Sequence, residues 1–272
     1  MAVTMAEISK LRTMTGAGMM DCKNALIESE NDFDKAIEII RKKGQAVAAK
    51  RSDREASEGC VLAATKGGFA AVLALKCETD FVAKNADFVA LTQSILDVAI
   101  EQKPATTEAL ESLKIGDKSI SDLIVEKIGI TGEKMELDFY EFVQGGSTSA
   151  YIHPGNKLAT LVAFAEEGVD YQVGRDVAMQ AAAMNPVSLD RTSVPQKIID
   201  TELEIGRDKA RQEGKPENML DRIAEGRLNK FFQDSTLLEQ AFIKDSKITV
   251  ADYLKSNKVI ATAFKRVTLN QE

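Results

Sequence analysis

The sequence holds one histidine and three cysteines, and it has no apolar run long enough to span a bilayer. Each shortage excludes something. Without a spanning run no membrane helix is expected, and the first residues lack the basic-then-apolar layout of a signal peptide, so the expectation is a cytoplasmic protein. Cys22, Cys60 and Cys77 are odd in number and show neither C-x-x-C nor zinc-ligand spacing. That argues against a disulfide framework or a metal centre and for a reducing compartment. His153 is followed by Pro154-Gly155-Asn156, which is turn chemistry, so on the residues alone it reads as a surface position. The motifs G-x-S-x-G, H-E-x-x-H and G-x-x-x-x-G-K-[ST] do not occur. Gly16-Ala17-Gly18 lacks the third glycine of a dinucleotide loop and follows a helical pattern rather than a strand. The chain therefore reads as no enzyme, and no cofactor is expected.

A surplus of positive charge is missing too. The net charge is −7, with bases and acids mixed along the chain. Arg41-Lys42-Lys43 and Lys50-Arg51 are the basic clusters, and both read as solvated helix ends, where cations suit the macrodipole. Binding phosphates needs a more concentrated basic face, so no direct nucleic-acid partner is expected.

What is present is an organised α+β pattern. With 272 residues, 44% of them hydrophobic, the chain can bury one sizeable core or two to three small ones. Residues 4–53 read as three short helices: one carrying Ile8 and Leu11, one resuming at Met19, and one capped by Asn31-Asp32 and ended by Gly44. A charged run, 50–58, follows as a linker. From Gly59 the period switches to two, giving strands at 60–65 and 69–79 around Lys66-Gly67-Gly68. An amphipathic helix at 85–102, lesser helical stretches at 107–113 and 119–128, and a strand at 134–143 come next. Strands at 149–152 and 157–166 flank the His153 turn, and a helix at 174–184 stops before Pro186. Residues 187–233 read as two long helices: Ser193-Val194-Pro195 opens the first, and Gly214-Lys215-Pro216 separates it from the second. This hairpin is either a structural buttress or a projecting arm for a partner or a second copy of the chain. The tail adds a helix with Thr249 as N-cap and a last strand at 259–269.

The segment 69–84 is the most informative. Its alternating strand ends in Thr79-Asp80-Phe81-Val82, where Asp80 is a candidate helix N-cap and Phe81 is a large aromatic at a strand-helix junction. Phe81 either folds back onto the core or is covered by a partner protein.

Two stretches, Leu11-Arg12-x-x-Thr15-Gly16-Ala17-Gly18-Met19-Met20-Asp21-Cys22-Lys23 and Thr79-Asp80-Phe81-Val82-Ala83-Lys84, carry a resemblance to a known family. Supporting matches are Gly214-Lys215-Pro216, Glu225-Gly226-Arg227 and Lys230-Phe231. Over nearly its whole length the chain resembles the bacterial elongation factor Ts family, guanine-nucleotide exchange factors of the GTPase elongation factor Tu.

The resemblance implies an N-terminal three-helix domain like ubiquitin-associated domains (1–53), a two-subdomain α+β core with antiparallel sheets, and an inserted antiparallel coiled-coil hairpin (187–233). The core subdomains would be 54–143 and, in two parts, 144–186 and 234–272. It implies that Thr79, Asp80, Phe81 and Val82 displace Mg2+ from the partner GTPase, and that Arg12, Met19, Met20 and His153 dock it. No role is carried onto Lys50 and Arg51, and a homodimer through the helical arm stays open. Pro154 stands where the family has glycine or another small residue. Some members continue past the last strand with a further helix that touches the GTPase. This chain stops at Leu269-Asn270-Gln271-Glu272, so that contact is expected to be missing. A competing reading is a binding adaptor that uses the three-helix domain to hold peptides or ubiquitin-like partners, which leaves 79–82 without a role. A third is an enzyme with Glu78, Asp80 or His153 as acid-base groups.

Overall fold

The computed structural model describes residues 3–269, so Asn270, Gln271 and Glu272 at the chain end named above lie outside the described residues. The fold is α+β, and the chain divides into two compact units. The first comprises Met1–Leu62, Leu73–Tyr140 and Thr268–Glu272, and the second Ala63–Val72 and Glu141–Val267.

The first unit opens with α1 (Met5–Thr15). Thr4 caps it by accepting from the Glu7 N–H, and the Glu7 carboxylate accepts from the Thr4 N–H in return. Gly16 ends it in the left-handed region, with φ 69° and its N–H donating to the Arg12 carbonyl at 2.7 Å. Then come α2 (Met19–Glu28) and α3 (Phe33–Arg51), the latter capped by Asp32, which accepts from the N–H groups of Asp34 and Lys35. Ile8, Leu11, Cys22, Ala25, Leu26 and Ala36 close a small core among the three helices.

Next in chain order are β1 (Glu58–Lys66), β2 (Phe69–Cys77), α4 (Asp80–Ala83), α5 (Ala86–Gln102) and α6 (Thr107–Ser112). A two-residue ladder follows, β3 (Lys114–Ile115) with β4 (Lys118–Ser119), and then α7 (Ile120–Thr131) and β5 (Met135–Gln144). Strands β1, β2 and β5 form one sheet with β2 in the centre. The central position explains why β2 is buried at every residue except Lys76.

Gly44 does not end the third helix. α3 runs 19 residues and continues through what reads as linker as far as Arg51. The reason is a helix crossing: a Cβ on Gly129 of α7 would stand 2.7 Å from the Gly44 Cα. The glycine lets two backbones touch instead of capping one of them. Of the two basic clusters, Lys50 and Arg51 do occupy a helix end, the last turn of α3, whereas Arg41-Lys42-Lys43 lie within the helix because it runs on past them.

In the second unit β6 (Ser147–Ile152) pairs antiparallel with β7 (Leu158–Phe164), in a register from Ser147 opposite Phe164 to Ile152 opposite Ala159. After α8 (Tyr171–Met184) come α9 (Gln196–Gln212), α10 (Leu220–Ser235), β8 (Ala241–Phe242), β9 (Asp245–Thr249), α11 (Val250–Ser256) and β10 (Ala261–Thr268). The sheet order is β10-β7-β6, and all seven residues of the central β7 are buried. Phe164, Val177, Leu237, Phe242, Val250 and Leu254 are at the heart of the core. The β8–β9 ladder is unanticipated; it delivers Phe242, whose ring stacks on Tyr253 at 4.2 Å. Thr249 caps α11 as expected, reciprocally with Asp252.

α9 starts at Gln196, later than Ser193. Asp190 takes the N–H groups of Thr192 and Ser193 into a short 3-10 turn before the helix begins. α9 and α10 pack as a helical hairpin in which Gly206 faces Ala224, flanked by Arg207–Asp221 (2.6 Å) and Arg227–Glu213 (2.7 Å) ion pairs. Among the described residues no helix is long and apolar enough to cross a membrane.

Candidate functional site

Thr79, Asp80, Phe81 and Val82 form a corner where β2 turns into α4. Thr79, not Asp80, is the N-cap: its backbone is extended (φ −124°, ψ 153°) and its hydroxyl accepts from the Val82 N–H at 3.4 Å. Asp80 is already the first helical residue. An acid there suits the positive end of the helix, and its carboxylate accepts from Lys84 Nζ at 2.6 Å, one turn on. That partner raises the pKa of Lys84. Phe81 does not fold back onto the core: it is 84% exposed, the most open large hydrophobic side chain among the described residues. Val82 is half-buried and Ala83 buried, which pins the far side of the turn.

The corner is anchored from a distance. The Glu133 carboxylate accepts from both the Thr79 hydroxyl (2.6 Å) and the Thr79 N–H (3.1 Å). The neighbouring residue returns the favour: Lys134 N–H donates to Glu78 at 2.7 Å. Glu78 also meets Arg51 (3.4 Å) and Arg54 (3.5 Å), so Arg51 acquires a partner that sequence left undefined. Glu133 and Lys134 carry no local signal in the sequence, because their partners lie 54 and 56 residues away. Cys77 lies just before the corner, its thiol donating to the Thr79 carbonyl at 3.3 Å; burial pushes its pKa up to about 12, and it is inert as a nucleophile.

The Glu78 carboxyl is held below the usual carboxylate range, first by the Lys134 N–H and then by the charges of Arg51 and Arg54. A carboxyl that titrates lower when folded contributes stability that is complete above its unfolded pKa. That contribution is lost as the pH falls through the folded value. Glu78→Gln should therefore melt below the parent at neutral pH and converge with it in acid. A gap between the two melting curves that stays constant from neutral pH into acid would remove this role from Glu78.

Arg12 is exposed near the end of α1, and Met19 and Met20 stand at the open start of α2, 43% and 63% exposed. Gly18 precedes them as an N-cap that offers no side chain. Met5 and Met14 are exposed as well, although the motif did not single them out. His153 belongs to the second unit. It lies exposed on the β6–β7 turn, its N–H donating to the Leu158 carbonyl and its Nδ1 3.0 Å from the Tyr151 hydroxyl. Arg175 covers the Tyr151 ring at 5.5 Å and donates to the hydroxyl of the exposed Tyr171. The histidine is thus one member of an aromatic and cationic patch. Tyr171 and Arg175 sit on α8, some twenty residues along the chain, and no motif marked them.

A family model described as Elongation factor TS matches residues 78–271, beginning at this corner. Over the full length of both chains the sequence is 61% identical to an elongation factor Ts of Porphyromonas gingivalis and 55% identical to one of Azobacteroides pseudotrichonymphae. It is 48% identical to an elongation factor Ts of Christiangramia forsetii, with 98% of each chain covered. The chain belongs to the elongation factor Ts family, and it is a translation elongation factor of the nucleotide-exchange type.

Proposed function

We propose that the protein binds elongation factor Tu in its GDP form and accelerates GDP release by displacing Mg2+ from the GTPase, so that GTP can reload. The observation that carries this reading is Phe81. A phenyl ring held 84% in the open at a capped, anchored corner is a poor design for a lone protein and a good one for a wedge. Magnesium bridges nucleotide phosphates and GTPase side chains, so moving its ligands removes much of the nucleotide's affinity. Asp80 brings a negative charge beside the wedge. Its exposed pair with Lys84 contributes little and is readily exchanged for a partner's groups. Arg12, Met19, Met20 and His153 dock the GTPase, the two methionines adapting their flexible side chains to its surface.

Coupling is reciprocal. Whatever loosens the nucleotide in the complex equally loosens this protein's hold on nucleotide-bound GTPase, so release speeds up while the GDP/GTP equilibrium stays unchanged. The chain makes and breaks no bond in this scheme and works in the cytoplasm. The helices of 1–53 act as a docking domain and the α9–α10 hairpin as an arm on the core.

Mixing the protein with elongation factor Tu loaded with fluorescent GDP should accelerate the loss of signal in proportion to its concentration. Release at the spontaneous rate under excess protein would overturn the proposal. In the same assay the double variant Met19→Ala, Met20→Ala should need more protein for half-maximal stimulation while melting where the parent does. A large drop in melting temperature with unaltered affinity would return the methionines to the core.

A further inference from the structure

We propose that Glu133 is a positioning residue for nucleotide exchange: its carboxylate fixes the backbone and hydroxyl of Thr79 and thereby sets the direction in which Phe81 projects. The inference rests on the exchange reading above.

Neither its helix nor its packing holds Phe81 in place. α4 is four residues long, a single turn, and a helix that short has paid the cost of nucleation without the return of propagation. The Phe81 ring is 84% exposed, so packing does not fix it either. Val82 and Ala83 seat the far side of the turn, so the direction of the ring depends on how the chain enters it, two residues earlier at Thr79. There the hydroxyl uses both of its capacities: it donates to Glu133 at 2.6 Å and accepts from the Val82 N–H at 3.4 Å. By accepting the hydroxyl's hydrogen bond, Glu133 turns the oxygen lone pairs toward Val82 and completes the cap. Its other oxygen takes the Thr79 N–H at 3.1 Å and fixes the peptide plane that enters the helix. Bonds to an ionised carboxylate are the stronger kind.

The α7–β5 connection makes this anchor rigid. Glu133 reaches from the connection to residue 79, and Glu78 reaches back to the N–H of Lys134, so the two segments are stitched in both directions. The partition of roles is clear. Glu78 shares its charge with Arg51 and Arg54, whereas both oxygens of Glu133 are directed at the one residue that caps α4. Removing Glu133 frees the corner to swing and moves the ring at the end of a two-residue lever.

Stopped-flow release of fluorescent GDP from elongation factor Tu, measured against protein concentration, separates maximal rate from half-saturation. Glu133→Ala should lower the maximal rate about tenfold, the weight of one hydrogen bond to a charged group. Its half-saturating concentration should stay near the parent's, because the docking residues are intact. The decisive variant is Glu133→Ala combined with Phe81→Ala. If Glu133 acts through Phe81, the double variant is no slower than Phe81→Ala alone. Two effects that multiply, or a parental maximal rate from Glu133→Ala, would overturn the proposal. Should the alanine variant fail to fold, Glu133→Gln keeps the volume and one acceptor and should fall between parent and Phe81→Ala; a parental rate from it would also overturn the proposal. A parental rate from Phe81→Ala itself would instead indict the exchange reading, so the two failures are distinguishable.

Discussion

Phe81→Ala should leave the melting temperature unchanged and slow stimulated GDP release by about 30- to 1,000-fold, the range for losing an aromatic that dominates an interface. Both halves follow from one observation, the 84% exposure of the side chain. A core phenylalanine truncated to alanine costs about 3–5 kcal/mol of folding stability, because burial is lost and a cavity remains. Phe81 has little burial to lose in the free protein. On the proposed function, whatever it contributes is realised in the complex, where the ring would leave water and enter the GTPase. If that contribution appeared equally in binding and in release, affinity would fall and the maximal rate would not. A wedge acts on the state in which the magnesium site is already distorted, so the loss should fall on the rate of release, with complex formation only weakened. Thermal unfolding and GDP release measured on the same variant decide the matter. A destabilised protein whose folded fraction still exchanges at the parental rate would sink the wedge.

Much of this was legible in the sequence because it is local. Strand signals through 69–79 and 157–166 locate the central strands β2 and β7, but β2 is not the half-buried alternating strand expected: both its faces are buried, as the unbroken apolar run from Phe69 to Leu75 allows. Thr249 and Asp32 announce their helices because a cap and the N–H groups it serves lie within three residues. The features whose use differs from the local signal depend on partners far along the chain. Thr79 and Asp80 are both good caps, and the choice between them turns on Glu133, which holds Thr79 in the extended geometry a cap needs. Gly44 is a sound stop signal until Gly129 is brought against it. Tyr171 and Arg175 join His153 only once α8 is laid against the sheet. The β8–β9 ladder is too short for periodicity to register, and its value lies in seating Phe242. Local chemistry thus predicts that a feature exists, and tertiary partners decide what it is used for.

The Gly44–Gly129 crossing carries the largest expected effect on stability. Glycine in a helix interior is worth about 1 kcal/mol less than alanine, so Gly→Ala on an open helix face should stabilise. Gly226 in α10 is such a place: a Cβ there would meet nothing within 4 Å. At Gly129 the same change sets a Cβ 2.7 Å from the Gly44 Cα, a contact with backbone that no rotamer relieves. α3 and α7 must then move apart along their crossing. Overpacking of this kind costs about 1–3 kcal/mol and occasionally more, enough to reverse the gain in propensity. Gly129→Leu extends the clash and should lie at or beyond the upper end of that range. Urea unfolding of Gly129→Ala, Gly129→Leu and Gly226→Ala should therefore give opposite signs for two chemically identical Gly→Ala changes. Equal stabilisation at both sites would mean that the helices do not cross at the glycines. The consequence extends to function, because α3 carries Arg51 to Glu78, and Glu133 lies two residues past the end of α7. A shift at the crossing displaces both anchors of the Phe81 corner at once. If the proposed function holds, whatever fraction of Gly129→Ala folds should still bind elongation factor Tu yet stimulate its GDP release less than the parent does.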